Sequence, residues 1–345
     1  MIILVPIEPL EERYSTQWLE WFQKDLRRLG EPFTVCDGTP LTNRITSGSF
    51  LDICGTNFYK ATQLQELCKR VYNGYIADED TILFMDAWFP GMEMLAYMRD
   101  GLKKKFKIAG CLHAGTWDEF DFLTERGMET WARPLEESWL EMLDLVFVAT
   151  HFHRELIWSR RVVRDQYKVQ VSGFPIFANH QEKYEVQPKQ KIVAFPHRLN
   201  PEKNPDLFDD MATVLSKNPG FANWKFIKTK DQCKTKSQYY ELLGKSAVAV
   251  SFADQETWGI AMQEALFAGA IPLVPDKLSY REMYPQLLRF QTPANVRHKL
   301  LQIASGNNIQ EYLQCCDETR EALLKSGRDA IFKMVKHIKN LRMLL

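Results

Sequence analysis

Residues 246–276 read SAVAVSFADQETWGIAMQEALFAGAIPLVPD. The stretch opens on an apolar run, Ala247 to Val250, and passes through a loop that ends near Glu256. Trp258–Gly259–Ile260–Ala261 then lead into a helix carrying Glu264, and Ile271 to Val274 read as a second strand. Strand, loop, helix and strand in that order form one unit of a parallel sheet. Glu256 falls at the mouth of the helix. Glu264 follows eight residues later, about two turns on at roughly 3.6 residues per turn. Between them lie the free N–H groups of the first helical turn, which with the helix dipole favour an anionic group such as phosphate. Carboxylates are acceptors suited to vicinal hydroxyls. One such element has the chemistry to hold a sugar, a diphosphate and a ribose in a row.

The two glutamates, with Gly259, Gly269, Pro272 and the run ALFAGAIPLVP, resemble the E-x7-E signature of retaining GT-B glycosyltransferases of the family 4 type. The resemblance implies a donor site in which Glu256 contacts the sugar and Glu264 the nucleotide ribose, with Thr257, Trp258, Gly259 and Ile260 along the donor. A second segment, Pro196–His197–Arg198–Leu199–Asn200–Pro201–Glu202–Lys203–Asn204–Pro205, resembles the family's R-L-x-x-E-K element, with Asn204 where glycine is common. Arg198 and Lys203 match the cationic pair that holds the donor diphosphate. Charge builds on the β-phosphate as the sugar leaves, and fixed cations stabilise it in a dry cleft. Arg grips two oxygens at once, whereas Lys acts as a point charge. The family also implies a histidine after an N-terminal strand that reaches the donor sugar, and His113 matches by position. The glycine-rich loops usual after the first strand and after the strand near 224–227 are absent: the chain has Pro6 to Arg13 and Lys228 to Lys236 instead.

The whole chain sets bounds around this element. Its 345 residues suit two domains, and an apolar share of 45% is ample for packed cores. The formal net charge of zero argues against coating nucleic acid by charge alone, though not against a local basic face. Seven cysteines without a C-x-x-C pair argue against zinc ribbons and a secreted disulfide framework. They indicate a reducing, cytoplasmic setting, the host cytoplasm if the chain is phage-encoded. MIILVPIEPLEERY reads as a first strand rather than a signal peptide, and no apolar run approaches the roughly 20 residues that span a bilayer.

Alternating strand and helix patterns predict an α/β fold, and the resemblance specifies GT-B: two Rossmann-like parallel-sheet domains with an interdomain cleft. The expected organisation is an acceptor domain over 1–175, a linker over 176–190, a nucleotide-sugar domain over 191–328 and a final helix over 329–345 that crosses back to the first domain. Peripheral helices are expected at Asn295 to Ser305 and Gln310 to Lys325, a short one at Gln238 to Leu243, and a long loop at Asp37 to Thr56. Asp86, at the end of the strand Thr81 to Met85, and Asp118, in the loop after Lys107 to Leu112, are candidate acceptor residues, since open α/β sheets carry ligands at strand C-terminal ends. His151 and His153 lack a third ligand nearby, so no metal is expected.

The function expected is retaining transfer from a nucleotide sugar, a UDP-sugar first, to a hydroxyl, with Arg198, Lys203, Glu256 and His113 as catalytic residues and no cofactor beyond the donor. Three acceptors are compatible with the chain. A hydroxylated or hydroxymethylated base in DNA or another nucleic acid would use the lysines of 228–236 and the basic stretch Arg154 to Lys168, as in phage-type DNA modification. A membrane lipid or cell-surface glycan precursor would bring Trp18, Trp21 and the basic helices to a membrane surface. A small soluble acceptor would use neither. No protein partner is indicated. A sugar-nucleotide epimerase, a phosphorylase and a non-catalytic binding module are the readings from other classes, since fold does not fix function.

Overall fold

Short runs of β-branched and aromatic residues with no polar face, such as Ile2–Val5 and Leu145–Val148, are buried along their whole length, as strands covered on both faces must be. The structure, a computed structural model, describes residues 1–9, 15–41, 52–178 and 181–343. Parts of the expected loops over 6–13 and 37–56, of the linker and of the last helix therefore lie outside the described residues. The described chain divides into two compact units, Met1–Pro175 with Gly327–Leu345, and Ile176–Ser326.

The first unit holds a six-stranded parallel sheet of β1 (Ile2–Val5), β2 (Phe33–Val35), β3 (Thr81–Phe84), β4 (Lys107–Cys111), β5 (Leu145–Val148) and β6 (Val169–Val171), in the order β2-β1-β3-β4-β5-β6. The reversal of direction beside β1 gives the doubly wound order, with helices on both faces. Trp18, Phe22 and Leu26 fall on one face of the helix Ser15–Arg28 and are buried together. The loop expected over Asp37 to Thr56 ends earlier, and a helix runs over Ile53–Tyr72, because the Asp52 side chain accepts the Cys54 N–H and caps it.

The second unit has five parallel strands, β7 (Gln190–Phe195), β8 (Lys225–Lys228), β9 (Ser246–Val250), β10 (Ile271–Pro275) and β11 (Arg289–Phe290), ordered β11-β10-β9-β7-β8. The segment expected as a polar linker is folded onto this unit. Ile176, Ala178 and Gln181 are buried, and Tyr184 packs so closely on the helix Lys236–Lys245 that a Cβ at Gly244 would lie 1.9 Å from its carbonyl oxygen. The lysine-rich loop over 228–236 is also more ordered than expected. Thr229–Gln232 forms a helical turn, and a capping box between Thr235 and Gln238 starts the next helix two residues before the expected position.

The two helices expected at 310–325 and 329–345 are one helix, Ile309–Arg342. Ser326 and Gly327 suggest a break, but glycine inside a helix costs only about 1 kcal/mol against alanine. Burial of Ala330, Ile331, Met334, Val335 and Ile338 at helical spacing outweighs that cost. Within the first unit the end of this helix is pinned by ions: Lys339 and Arg342 lie 2.8 and 2.9 Å from the buried Glu31 carboxylate. Among the described residues no helix is long and apolar enough to cross a membrane.

Candidate donor site

The loop after β9 and the turn after β7 meet at one ion pair. Lys203 is 4% exposed, and its Nζ donates to Glu256 Oε1 at 2.9 Å, to Gln255 Oε1 at 3.2 Å and to the Gln255 carbonyl. Glu256 Oε2 accepts the Gly259 N–H at 2.8 Å, at the mouth of the helix Ile260–Phe267. Burial pushes the Glu256 carboxyl up, but Lys203 and the hydrogen bonds outweigh it and hold the group below the usual carboxylate range. The turn needs its glycine. Gly259 has φ of +61°, and a Cβ there would fall 2.6 Å from the buried ring of Tyr280. Trp258 contributes its carbonyl, which accepts from Gln263 Nε2 at 2.7 Å, and Thr257 is buried beside it.

Glu264 lies two turns along that helix, 3% exposed on its side chain. Its Oε1 accepts from Tyr240 Oη at 2.8 Å and lies 2.7 Å from Lys236 Nζ. Lys236 in turn sits over the rings of Tyr239 and Tyr240, 4.7 and 4.9 Å from their centroids. Lys236 and Tyr240 were not singled out from sequence as donor-site residues. Their i,i+4 spacing on the helix before β9 was the available signal.

Arg198 is engaged differently from Lys203. Its Nε and Nη2 donate to Glu202 Oε1 at 3.0 and 2.7 Å, and its side chain remains 35% exposed. Asn204, where glycine was expected, adopts φ of +53°, a region that Asn tolerates better than most residues. Its Nδ2 holds the Phe252 carbonyl (3.0 Å) and Asp254 Oδ2 (2.6 Å), and Asp254 pairs with Lys277. The Asn side chain thus ties the turn after β7 to the loop after β9.

The structure brings Lys203, Glu256 and Gly259 into direct contact and places Glu264 on the same helix, all in the second unit. His113, Asp86 and Asp118 belong to the first. His113 Nε2 lies 2.8 Å from the Met85 carbonyl, which can only accept, so that nitrogen carries the proton. The ring packs 4.8 Å from both Trp18 and Phe174. Asp86 is 3.2 Å from Lys60. Burial raises its pKa, while Lys60 and His113 lower it further, so the net shift is downward. Asp118 is buried and accepts the Phe120 N–H at 3.0 Å, so it closes a turn of its own loop. Glu136 anchors the same loop. Its carboxylate accepts from Thr116 N and Oγ1, both at 2.7 Å, from Trp88 Nε1 at 3.0 Å and from Arg161 Nε and Nη2 at 2.9 and 2.8 Å. Arg161, counted from sequence in an exposed basic stretch, is therefore a buried structural residue; its side chain is 2% exposed.

No family model matches the chain. Among solved structures, sucrose-phosphate synthase from Thermosynechococcus elongatus superposes with a TM-score of 0.66 at 10% identity, covering 100% of this chain and 99% of that one. The fold is GT-B. TarM from S. aureus, in a complex with UDP and alpha-GlcNAc-glycerol, gives a TM-score of 0.57 at 17% identity, covering 81% of this chain and 59% of that one. Among curated proteins, the tRNA-queuosine alpha-mannosyltransferase of Drosophila melanogaster is 28% identical over 129 residues, 31% of this chain and 34% of that protein. The GT-B chain thus spans about a third of the length of that curated relative.

Proposed function

We propose that the protein is a retaining glycosyltransferase that moves a sugar from a nucleoside diphosphate, UDP first, to a hydroxyl acceptor. The observation that carries this reading is the contact of Lys203 Nζ with Glu256 Oε1 at 2.9 Å, with Glu256 also bonded to the N–H that opens the helix Ile260–Phe267. Cation, carboxylate and helix N-terminus then converge where a sugar diphosphate needs them. Arg198 and Lys203 hold the diphosphate, and the helix N-terminus adds its dipole. Glu256 accepts from hydroxyls of the sugar, and Glu264, oriented by Tyr240 and Lys236, accepts from the ribose. The sugar's anomeric carbon breaks its bond to the β-phosphate oxygen as the acceptor hydroxyl bonds on the same face, and the leaving phosphate takes the hydroxyl proton. His113 is proposed to contact the donor sugar. Asp86 and Asp118, both occupied with local partners, are weaker candidates for the acceptor. The UDP seen with TarM supports the choice of nucleotide.

For the acceptor, the name of the curated relative favours a hydroxyl on a modified nucleoside in a nucleic acid, tRNA before duplex DNA. The test has two steps. Thermal shifts with UDP-, GDP-, ADP- and TDP-sugars identify the donor, because a ligand of the native state raises its melting temperature by mass action. Glu264→Ala is expected to abolish the rise. The selected donor is then incubated with total tRNA, hydroxymethylated duplex DNA and anionic liposomes, and the anomeric configuration of any product is read by NMR. No thermal shift with any donor would refute the transferase reading. An inverted product would refute retention, and transfer to lipid alone would refute the nucleic-acid acceptor.

A further inference from the structure

The turn after β7 carries a buried histidine that neither the sequence motif nor the comparisons assign. His197 is 4% exposed, two residues beyond the end of β7 and directly before Arg198. Phe195 meets its ring edge-on, with centroids 5.2 Å apart at 69°. Its Nε2 is buried without a hydrogen-bond partner. Buried polar atoms in native proteins are nearly always paired, so an orphaned nitrogen at this depth calls for an explanation. The surroundings supply one, because Lys203, Glu256 and Arg198 all interact with the ring electrostatically. His153, in the first unit, gives the contrast. Both of its ring nitrogens are unpaired, but it packs on Trp117, 5.9 Å away between ring centroids, and among the described residues it is coupled to His113 and to no lysine, arginine or carboxylate. His153 reads as a packing residue, and His197 reads as part of a charged site.

We infer that His197 is a further donor-binding residue, whose Nε2–H donates a hydrogen bond to a diphosphate oxygen held by Arg198 and Lys203. This rests on the donor-site reading above. An imidazole suits the position. With two cations already beside it, a third positive charge would be repelled, and burial favours the neutral ring as well. A neutral ring still has one N–H to give, and hydrogen bonds to charged oxygens are stronger than neutral ones. A lysine or arginine here would add a further charge beside Arg198 and Lys203, which are already paired with Glu202 and Glu256.

The test uses the full chain and calorimetric titration with UMP, UDP, GMP and GDP. Wild type is expected to bind the diphosphate of one base more tightly than its monophosphate. His197→Leu, which removes the donor, should weaken the diphosphate about 10-fold or more and leave the monophosphate within about 2-fold. His197→Gln, which restores an N–H of similar reach, should recover most of the loss. Equal weakening of mono- and diphosphate, or no change in either, overturns the assignment while leaving the transferase reading intact. Absence of nucleotide binding by wild type overturns both readings. If His197→Leu fails to fold, wild type labelled with 15N in histidine carries the test. The Nε2 resonance of His197 should move on adding the diphosphate and stay within error on adding the monophosphate; an unmoved resonance refutes the hydrogen bond.

Discussion

Replacing Lys203 with Met should turn Glu256 from a stabilising group into a liability, and the pH dependence of that change is diagnostic. Lys203 is 4% exposed and gives its ammonium to Glu256 and to two oxygens of Gln255. Methionine keeps the volume of the stem and removes all three bonds. Removing one partner of a buried pair costs about 3–5 kcal/mol because the other charge is left unpaired. Glu256 retains the Gly259 N–H and its side chain is 15% exposed, which places the expected cost at the low end, about 3 kcal/mol. In wild type the Glu256 carboxyl lies below its ordinary value, so its stabilising contribution is present above the unfolded pKa and is lost as pH falls through the folded one. In Lys203→Met, burial acts unopposed by the lysine and raises the carboxyl above the unfolded value. The unfavourable term is then full at neutral pH and shrinks as pH falls, by up to about 1.4 kcal/mol per unit. Urea denaturation followed by tryptophan fluorescence at pH 5, 6, 7 and 8 measures the difference between the two proteins, in which unrelated titrations cancel. Lys203→Met/Glu256→Gln should regain at least half of the loss. A deficit below about 1 kcal/mol, or one that grows toward acid, would refute the assignment of Lys203 as the counter-charge of Glu256.

Other expectations follow from single features. Gly259→Ala should destabilise by about 2 kcal/mol or more, since it combines a left-handed backbone with a 2.6 Å approach to Tyr280, and the thermal midpoint should be partly restored by adding Tyr280→Leu. His153 is held neutral by burial, with its pKa pushed down to about 3. The unfolded chain therefore binds its proton first, and stability should fall by about 1.4 kcal/mol per unit between roughly pH 6 and pH 4; His153→Leu should flatten that slope in melts of the first unit, and an unchanged slope would remove His153 from the account. Tyr240→Phe and Lys236→Met each leave Glu264 one strong donor on Oε1, so each should cost about 1 kcal/mol, whereas the double variant should cost clearly more than the sum; additivity within about 0.5 kcal/mol in urea melts would show that the two do not share the carboxylate.

Much of the second unit was readable from residues alone because its signals are local. The alternation of strand and helix over 246–276, the turn glycine at 259 and the spacing of Glu256 and Glu264 all concern one contiguous stretch, and the structure forms those elements there. What escaped was set by contacts distant in sequence. The i,i+4 spacing of Lys236 and Tyr240 puts them on one helix face but does not name Glu264, 28 residues on, as their partner, and the sequence around Arg161 does not point to Glu136. Charge-rich stretches look solvated in a linear reading, and only the fold shows which charges have been buried with a partner. The helix Ile309–Arg342 shows the opposite case: glycine after serine is a local break signal, and the burial of five apolar residues beyond it outweighs that signal.

The absence of glycine at position 204 shows how a departure from a pattern can be compensated. Glycine at such a turn supplies a left-handed backbone and leaves room for a ligand's approach. Asn204 supplies the same backbone, at φ of +53°, but adds a side chain. That side chain is occupied: Nδ2 bonds the Phe252 carbonyl and Asp254, and Asp254 binds Lys277. The Asp254 N–H also donates to the Glu202 carbonyl at 2.8 Å. The turn bearing Arg198 and Lys203 is therefore fastened at several points to the loop bearing Glu256. A glycine would lose both side-chain bonds of Asn204 and leave the main-chain link and the bonds of Lys203 to Glu256 and Gln255 to hold the two segments together. Cations and carboxylate must keep a fixed separation if they are to meet a diphosphate and its sugar together, and Asn204 contributes that rigidity while meeting the backbone demand that glycine ordinarily meets.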